Sequence, residues 1–280
     1  MKESFAQLLV HLDATPQSAH RLALARSIAQ SQGAAVTALY AVTPALLGIP
    51  FAVESGANAA VVLADVDRDR RAGARAAFES IVASGGPDTS WAEATALPVV
   101  SGFARQALYA DLMVLGQHRA SDPAFDGVAP DFVECVLARS GKPALVLPHD
   151  GEWTSVGETV VIAWKPTREA ARAVASAVPL LQRAERVHVV SWGAEDDPVE
   201  GGRLTLNAYL RQRGIEATFH REGGPEPELL GELLLSRVFD LEADLLVMGC
   251  YGHSRAREWV LGGASRTILR SMTLPVLLAH

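Results

Sequence analysis

The residues with the clearest chemistry lie at positions 248–269, MGCYGHSRAREWVLGGASRTIL. An apolar run leaves through Gly249, a second glycine follows at Gly252, and after nine residues Gly262, Gly263, Ala264 and Ser265 open an amphipathic stretch. Glycine lets a backbone approach an anion closely and take positive φ, and the free amides of a helix N-terminus, aided by its dipole, hold phosphate oxygens. Ser265 adds a hydroxyl donor to such a cradle, or caps the helix in a plain glycine loop. Other chemistries lack a pattern. There is no HExxH, paired CxxC or phosphate-loop lysine motif, and GHS at 252–254 is not a GxSxG elbow. Eight histidines are spread along the chain, so no metal site is expected. His118 and His253 read as solvated loop residues, and Cys250 as a small packed residue.

The elements that must position this loop occur twice. ADLMVLG at 110–116 recurs as ADLLVMG at 243–249, and each is followed by a proline-led apolar run, Pro143 in KPALVLPH and Pro275 in LPVLLAH. The starts LLVHLDATPQSAHRLALA and VVIAWKPTREAARAVASA align with Asp13 against Lys165. The first copy then carries about twenty extra residues, around TPALLGIPFAVESGANAA. Short apolar runs (LLVHL, AVTALYAV, LMVLG, ALVLP; VVIAW, VHVVSW, LLVMG, VLLA) have the length of buried parallel strands. Ala-rich amphipathic stretches lie between them, the first closed by Gly33 as a C-cap. Alternation of this kind predicts right-handed crossovers and a doubly wound α/β sheet, with ligands beyond the carboxyl ends of the strands at the switch point. The join is PHDGEWTSVGE, 148–158.

On these residues the chain resembles the universal stress protein family. Gly249, Gly252 and Gly262 keep that family's spacing of Gly, two residues, Gly, nine residues, Gly. The repeat, the AD-apolar-Gly runs and the PVLL end are similar to it as well, so the chain is identified as a tandem of two such domains, 1–150 and 157–280. The resemblance implies two doubly wound domains of five parallel strands, Rossmann-like and similar to adenine nucleotide alpha-hydrolases. It implies domains that often bind ATP or AMP, with Mg an open matter for ATP, pair through the last strand, and serve as stress-related ligand sensors without established catalysis. By the same resemblance Gly249, Gly252, Gly262, Gly263 and Ser265 surround the phosphates, while Trp164, Lys165, Trp192 and Met248 lie nearer the base. Two positions depart from the pattern. Gly263 replaces a hydroxyl residue, and Lys165 stands where the family carries an Asp near adenine and ribose, so the cation either favours a more anionic ligand or blocks the pocket. Trp164 and Trp192 either stack on a base or pack the rim.

The first copy shows the reverse defect. Asp13 is kept, either as that acid or as a turn and cap residue, but the loop GQHRASDPAFDGVAPDF has Arg119 for the second glycine and adds Asp122, Asp126 and Asp131, which repel phosphate. Residues 65–75, DVDRDRRAGAR, read as a solvated mixed-charge helix face. The whole chain is 49% hydrophobic and 20% charged with a net charge of −7, so nucleic acid and anionic membrane are not expected partners. The opening MKESFAQLLVHLDATPQ reads as neither a signal peptide nor an anchor, and two cysteines suit a reducing cytoplasm. The expected function is a regulatory protein binding an adenine nucleotide or related phosphate ligand, mainly in the second copy, with no catalytic residue. The alternatives are a nucleotide-free scaffold for protein partners not yet identified, and a slow ATPase. Two proline-led last strands left unpaired would aggregate, which predicts an intramolecular pseudo-dimer and permits a homodimer.

Overall fold

The computed structural model describes residues 2–48, 57–94, 97–118, 127–192, 204–223, 229–250 and 263–280. They fall into two compact units, Phe5–Lys142 with His149–Thr154, and Pro143–Pro148 with Ser155–His280 and the first four residues.

The first unit runs β1 (Gln7–Leu12), α1 (Gln17–Gln32), β2 (Ala35–Tyr40), α2 (Ala45–Gly48), α3 (Ala57–Val82), β3 (Thr89–Glu93), α4 (Val99–Ala107), β4 (Leu112–Gly116) and α5 (Phe132–Ser140). Its strands lie parallel in the order β3-β2-β1-β4. The apolar runs are strands because both their faces are covered: Leu8, Val10 and Leu112 through Leu115 are fully buried. Gly33 closes α1 in the left-handed region at φ 72°, its N–H bonded to the Ala29 carbonyl.

The second unit contains β5 (Ala144–Leu147), β6 (Thr159–Ala163), α6 (Arg168–Leu181), β7 (Arg186–Trp192), α7 (Leu206–Gln212), β8 (Thr218–Glu222), α8 (Leu230–Asp240), β9 (Leu245–Gly249), α9 (Gly263–Ser271) and β10 (Val276–Ala279). The order β8-β7-β6-β9-β10 is parallel, and β5 joins β10 antiparallel with Val276 opposite Val146. Strand β5 thus belongs to the first sequence copy but folds with the second unit.

Each copy supplies five strands, one more than the apolar runs mark. β3 (TSWAE) and β8 (TFHRE) are polar strands, largely exposed along one side. The repeated Ala-Asp pair also acquires a role. Asp111 accepts hydrogen bonds from the amides of Ala6 and Gln7 at 2.7 and 3.0 Å, and Asp244 from those of Gly157, Glu158 and Thr159 at 2.9 to 3.1 Å. Each carboxylate fastens the amino end of its copy's first strand to the start of the fourth. The carboxyl ends of those two strands, where the strand order reverses, are thereby set side by side.

Candidate functional site

At the end of β1 the chain turns inward on a carboxylate. Asp13 is 2% exposed and accepts from the Thr15 amide (2.8 Å), the Thr15 hydroxyl (2.5 Å) and the Ser18 hydroxyl (2.8 Å). The Thr15 bond makes an Asx turn. Arg21, one turn into α1 and equally buried, donates from Nη2 to Asp13 Oδ2 at 2.6 Å and from Nε to the His11 carbonyl at 3.0 Å. Burial pushes the Asp13 carboxyl up, but the Arg21 guanidinium beside it outweighs that and holds it well below the usual carboxylate range. His11 is buried against Phe132, ring centroids 4.3 Å apart, and its Nε2 lies 3.0 Å from the Ala41 carbonyl. A carbonyl only accepts, so Nε2 carries the proton. Burial lowers the His11 pKa to about 4. Finally, a Cβ at Gly116 would overlap Arg21 Nη1, so the guanidinium lies directly against the end of β4. The acid of this crevice is satisfied by its own helix, and of the two roles left open for Asp13 the structure gives the turn residue, with a buried ion pair added.

The same corner of the second unit is built differently. β6 and β9 pair with Ala163 opposite Met248, so Trp164 and Lys165 leave β6 beside Gly249. Met248 is buried, Trp164 half-buried and Lys165 exposed. Thr167 caps α6, accepting from the Ala170 amide at 3.3 Å. The backbone of that first turn lies so close to Gly249 that a Cβ would overlap Ala170 N and come within 2.6 Å of Glu169 C. Gly249 therefore has a packing reason of its own, independent of any ligand. Cys250 is fully buried, its thiol 3.3 Å from the Ala279 carbonyl, in agreement with the packed reading. Gly263 begins α9 with none of the described residues within 4 Å of where its Cβ would be, and Ser265 is buried two residues further on. Gly252, Gly262, His253, Arg119, Asp122 and Asp126 lie outside the described residues.

Trp192 sits elsewhere. It pairs in register with Glu222 and lines an open cleft of 470 Å³ with Leu233 and Arg237, a cleft that none of the other described candidates lines. Beneath it His188 Nδ1 and His220 Nε2 are 3.0 Å apart, and Arg237 Nη2 is 3.4 Å from His220 Nδ1. Arginine only donates, so His220 accepts at Nδ1 and donates from Nε2 to His188. Residues 65–75 are not simply solvated: Asp67 receives the Ala45 amide at 2.9 Å, and Arg75 lies over the Trp91 ring at 5.2 Å. Sequence reasoning passed over Arg21 and Asp67. A signal for Arg21 existed, because it falls on the buried stripe of Leu24, Ala25 and Ile28. Among the described residues no group of three His, Cys, Asp or Glu is placed to hold a metal, and no helix is long and apolar enough to cross a membrane.

Residues 165–280 match the model of the Universal stress protein family. In fold, the chain is similar to a universal stress protein from Archaeoglobus fulgidus DSM 4304, with a TM-score of 0.70 and 17% identity over 98% of this chain and 95% of that one. A functionally unknown protein from Pseudomonas aeruginosa PAO1 superposes with a TM-score of 0.56 and 16% identity over 98% of this chain and 92% of its own. No curated protein matches the sequence.

Proposed function

We propose that the chain is a stress-related regulatory protein whose second domain, 157–280, binds an adenine nucleotide, a reading supported by the match of residues 165–280 to the universal stress protein family model. The contrast between the two strand-end corners carries this reading. In the first copy a guanidinium already lies on Gly116 and neutralises Asp13, whereas in the second no described residue lies on the start of α9 at Gly263. Phosphate oxygens would be held by the amides of the 249–265 segment, with Gly249, Gly252, Gly262, Gly263 and Ser265 around them, and Lys165 adds a cation to the same corner. Met248 is buried in the sheet opposite Ala163, and Trp164 follows Ala163 directly in the chain. Trp192 lines a different cleft, so it is left out of the base site.

The first domain, 1–150, serves as a packing partner whose own crevice is closed. Antiparallel pairing of β5 with β10 supports an intramolecular pseudo-dimer, and two buried cysteines held as thiols suit a reducing cytoplasm. A nucleotide-free scaffold is the second reading, favoured by the charge reversal at Lys165. Mass spectrometry of small molecules released from the purified protein separates the two. ATP or AMP released at up to one per chain supports the proposal, and protein that carries no nucleotide and takes none up from a millimolar solution supports the scaffold.

A further inference from the structure

The first copy has a second opening at its strand ends, lined by neither Asp13 nor Gly116. It is a cleft of 340 Å³ at the carboxyl ends of β2 and β3, roofed by α3. Tyr40 and Glu93, a register pair, form its floor, and Asp67, Arg68 and Arg71 of α3 form one side. The second copy lacks these features. Its corresponding register pair is Ser191 and Arg221, and α7 has seven residues where α3 has 26. The phenol and the long helix are thus additions that the sheet itself does not need.

The polar groups of the cleft are unequally used. Both Asp67 oxygens receive the Ala45 amide, at 2.9 and 3.1 Å. Glu93 accepts from Trp91 Nε1 at 3.1 Å and from Arg71 Nη1 at 3.4 Å. The acceptors therefore already carry protein donors. The donors do not all carry acceptors. Tyr40 is 9% exposed, its ring stacked on Trp91, and its hydroxyl has no hydrogen-bond partner among the described residues. Burial, then the nearby Asp67 carboxylate, pushes its pKa up to about 12, which keeps the proton on the oxygen. Among the described residues Arg68 and Arg71, both more than half exposed, engage Asp65 and Glu93, each through one N–H of the five, in ion pairs that rearrange at little cost. Val42 and Ala64 add an apolar wall.

We propose that this cleft binds a small organic anion, a carboxylate with an apolar body, which accepts hydrogen bonds from the Tyr40 hydroxyl and the Arg71 guanidinium with Arg68 at the mouth. The site lies in the domain whose nucleotide crevice is closed, so it stands or falls independently of nucleotide binding in the second domain. Calorimetric titration of the full chain with benzoate, and separately with inorganic phosphate, tests it. Benzoate should bind saturably at millimolar concentration and more tightly than phosphate. Loss of a hydrogen bond to a charged group should weaken it about tenfold in Tyr40→Phe, and about as much in the surface variant Arg71→Gln, with circular dichroism confirming that both fold. Saturating AMP should leave benzoate affinity unchanged. The proposal is overturned by absence of saturable benzoate binding, by equal or tighter phosphate binding, by displacement by AMP, or by unaltered affinity in the two folded variants.

Discussion

At the end of β1 a carboxylate lies 2% exposed with a guanidinium 2.6 Å away, while at the matching end of β6 an exposed lysine stands beside a strand terminus packed by helix backbone. The sheet order and the Asp111 and Asp244 fastenings are common to both corners. What differs is who satisfies the crevice. In the first copy α1 brings Arg21 into the core to meet Asp13. In the second, the aligned helix position is Ala173, fully buried, and the α6 backbone moves directly onto Gly249. One fold thus packs the same corner with a side-chain ion pair in one copy and with helix backbone in the other.

The sharpest way to break that comparison is to remove the cation from each corner. Arg21→Ala strands a buried carboxylate and should cost the first unit about 3 to 5 kcal/mol, whereas Lys165→Ala, at an exposed site, should change stability by less than about 0.5 kcal/mol. Urea unfolding followed on both variants measures the difference. Comparable losses would mean that Lys165 is a structural residue as well.

Acidification gives the next effect. His11 has a pKa of about 4 in the fold against 6.5 unfolded, so its contribution is complete above pH 6.5 and is lost as the pH falls toward 4. That amounts to roughly 3 kcal/mol, because each tenfold change in proton affinity is worth about 1.4 kcal/mol. In His11→Phe the fall in urea midpoint between pH 7 and pH 4.5 should shrink markedly. An unchanged fall would place the acid sensitivity elsewhere.

The glycines give a smaller contrast. Gly249→Ala drives a methyl group into the backbone of α6 and should destabilise by about 1 to 3 kcal/mol even without a ligand. Gly263→Ala meets open space and should be neutral or gain up to about 1 kcal/mol from helix propensity. Thermal unfolding of ligand-free protein reads both. Equal effects would deny Gly249 its packing role.

Much of this was legible in the residues. The Ala-Asp repeat marked matching strands because its carboxylate caps the same backbone amides in both copies, and the runs around Leu112 and Leu245 were visible because strands covered on both faces must be apolar throughout. β3 and β8 were not visible as apolar runs, since sheet edges carry Thr, Glu, His and Arg. The pairing of Asp13 with Arg21 was hidden for another reason. An arginine in a helix is normally solvated, and only its place on the stripe of Leu24, Ala25 and Ile28 shows that it turns inward. Gly249 fitted a phosphate signature, yet the approach of α6 alone accounts for it, so a spacing pattern at that position does not separate the two causes.

The central claim is that the chain offers one nucleotide site, in its second copy. Calorimetric titration of the full chain with ATP, alongside Gly252→Asp, tests it most directly. A carboxylate placed in an anion-binding segment repels phosphate. The wild type should bind at one site per chain and the variant should not bind. Two sites per chain, or an affinity that Gly252→Asp leaves unchanged, would contradict it.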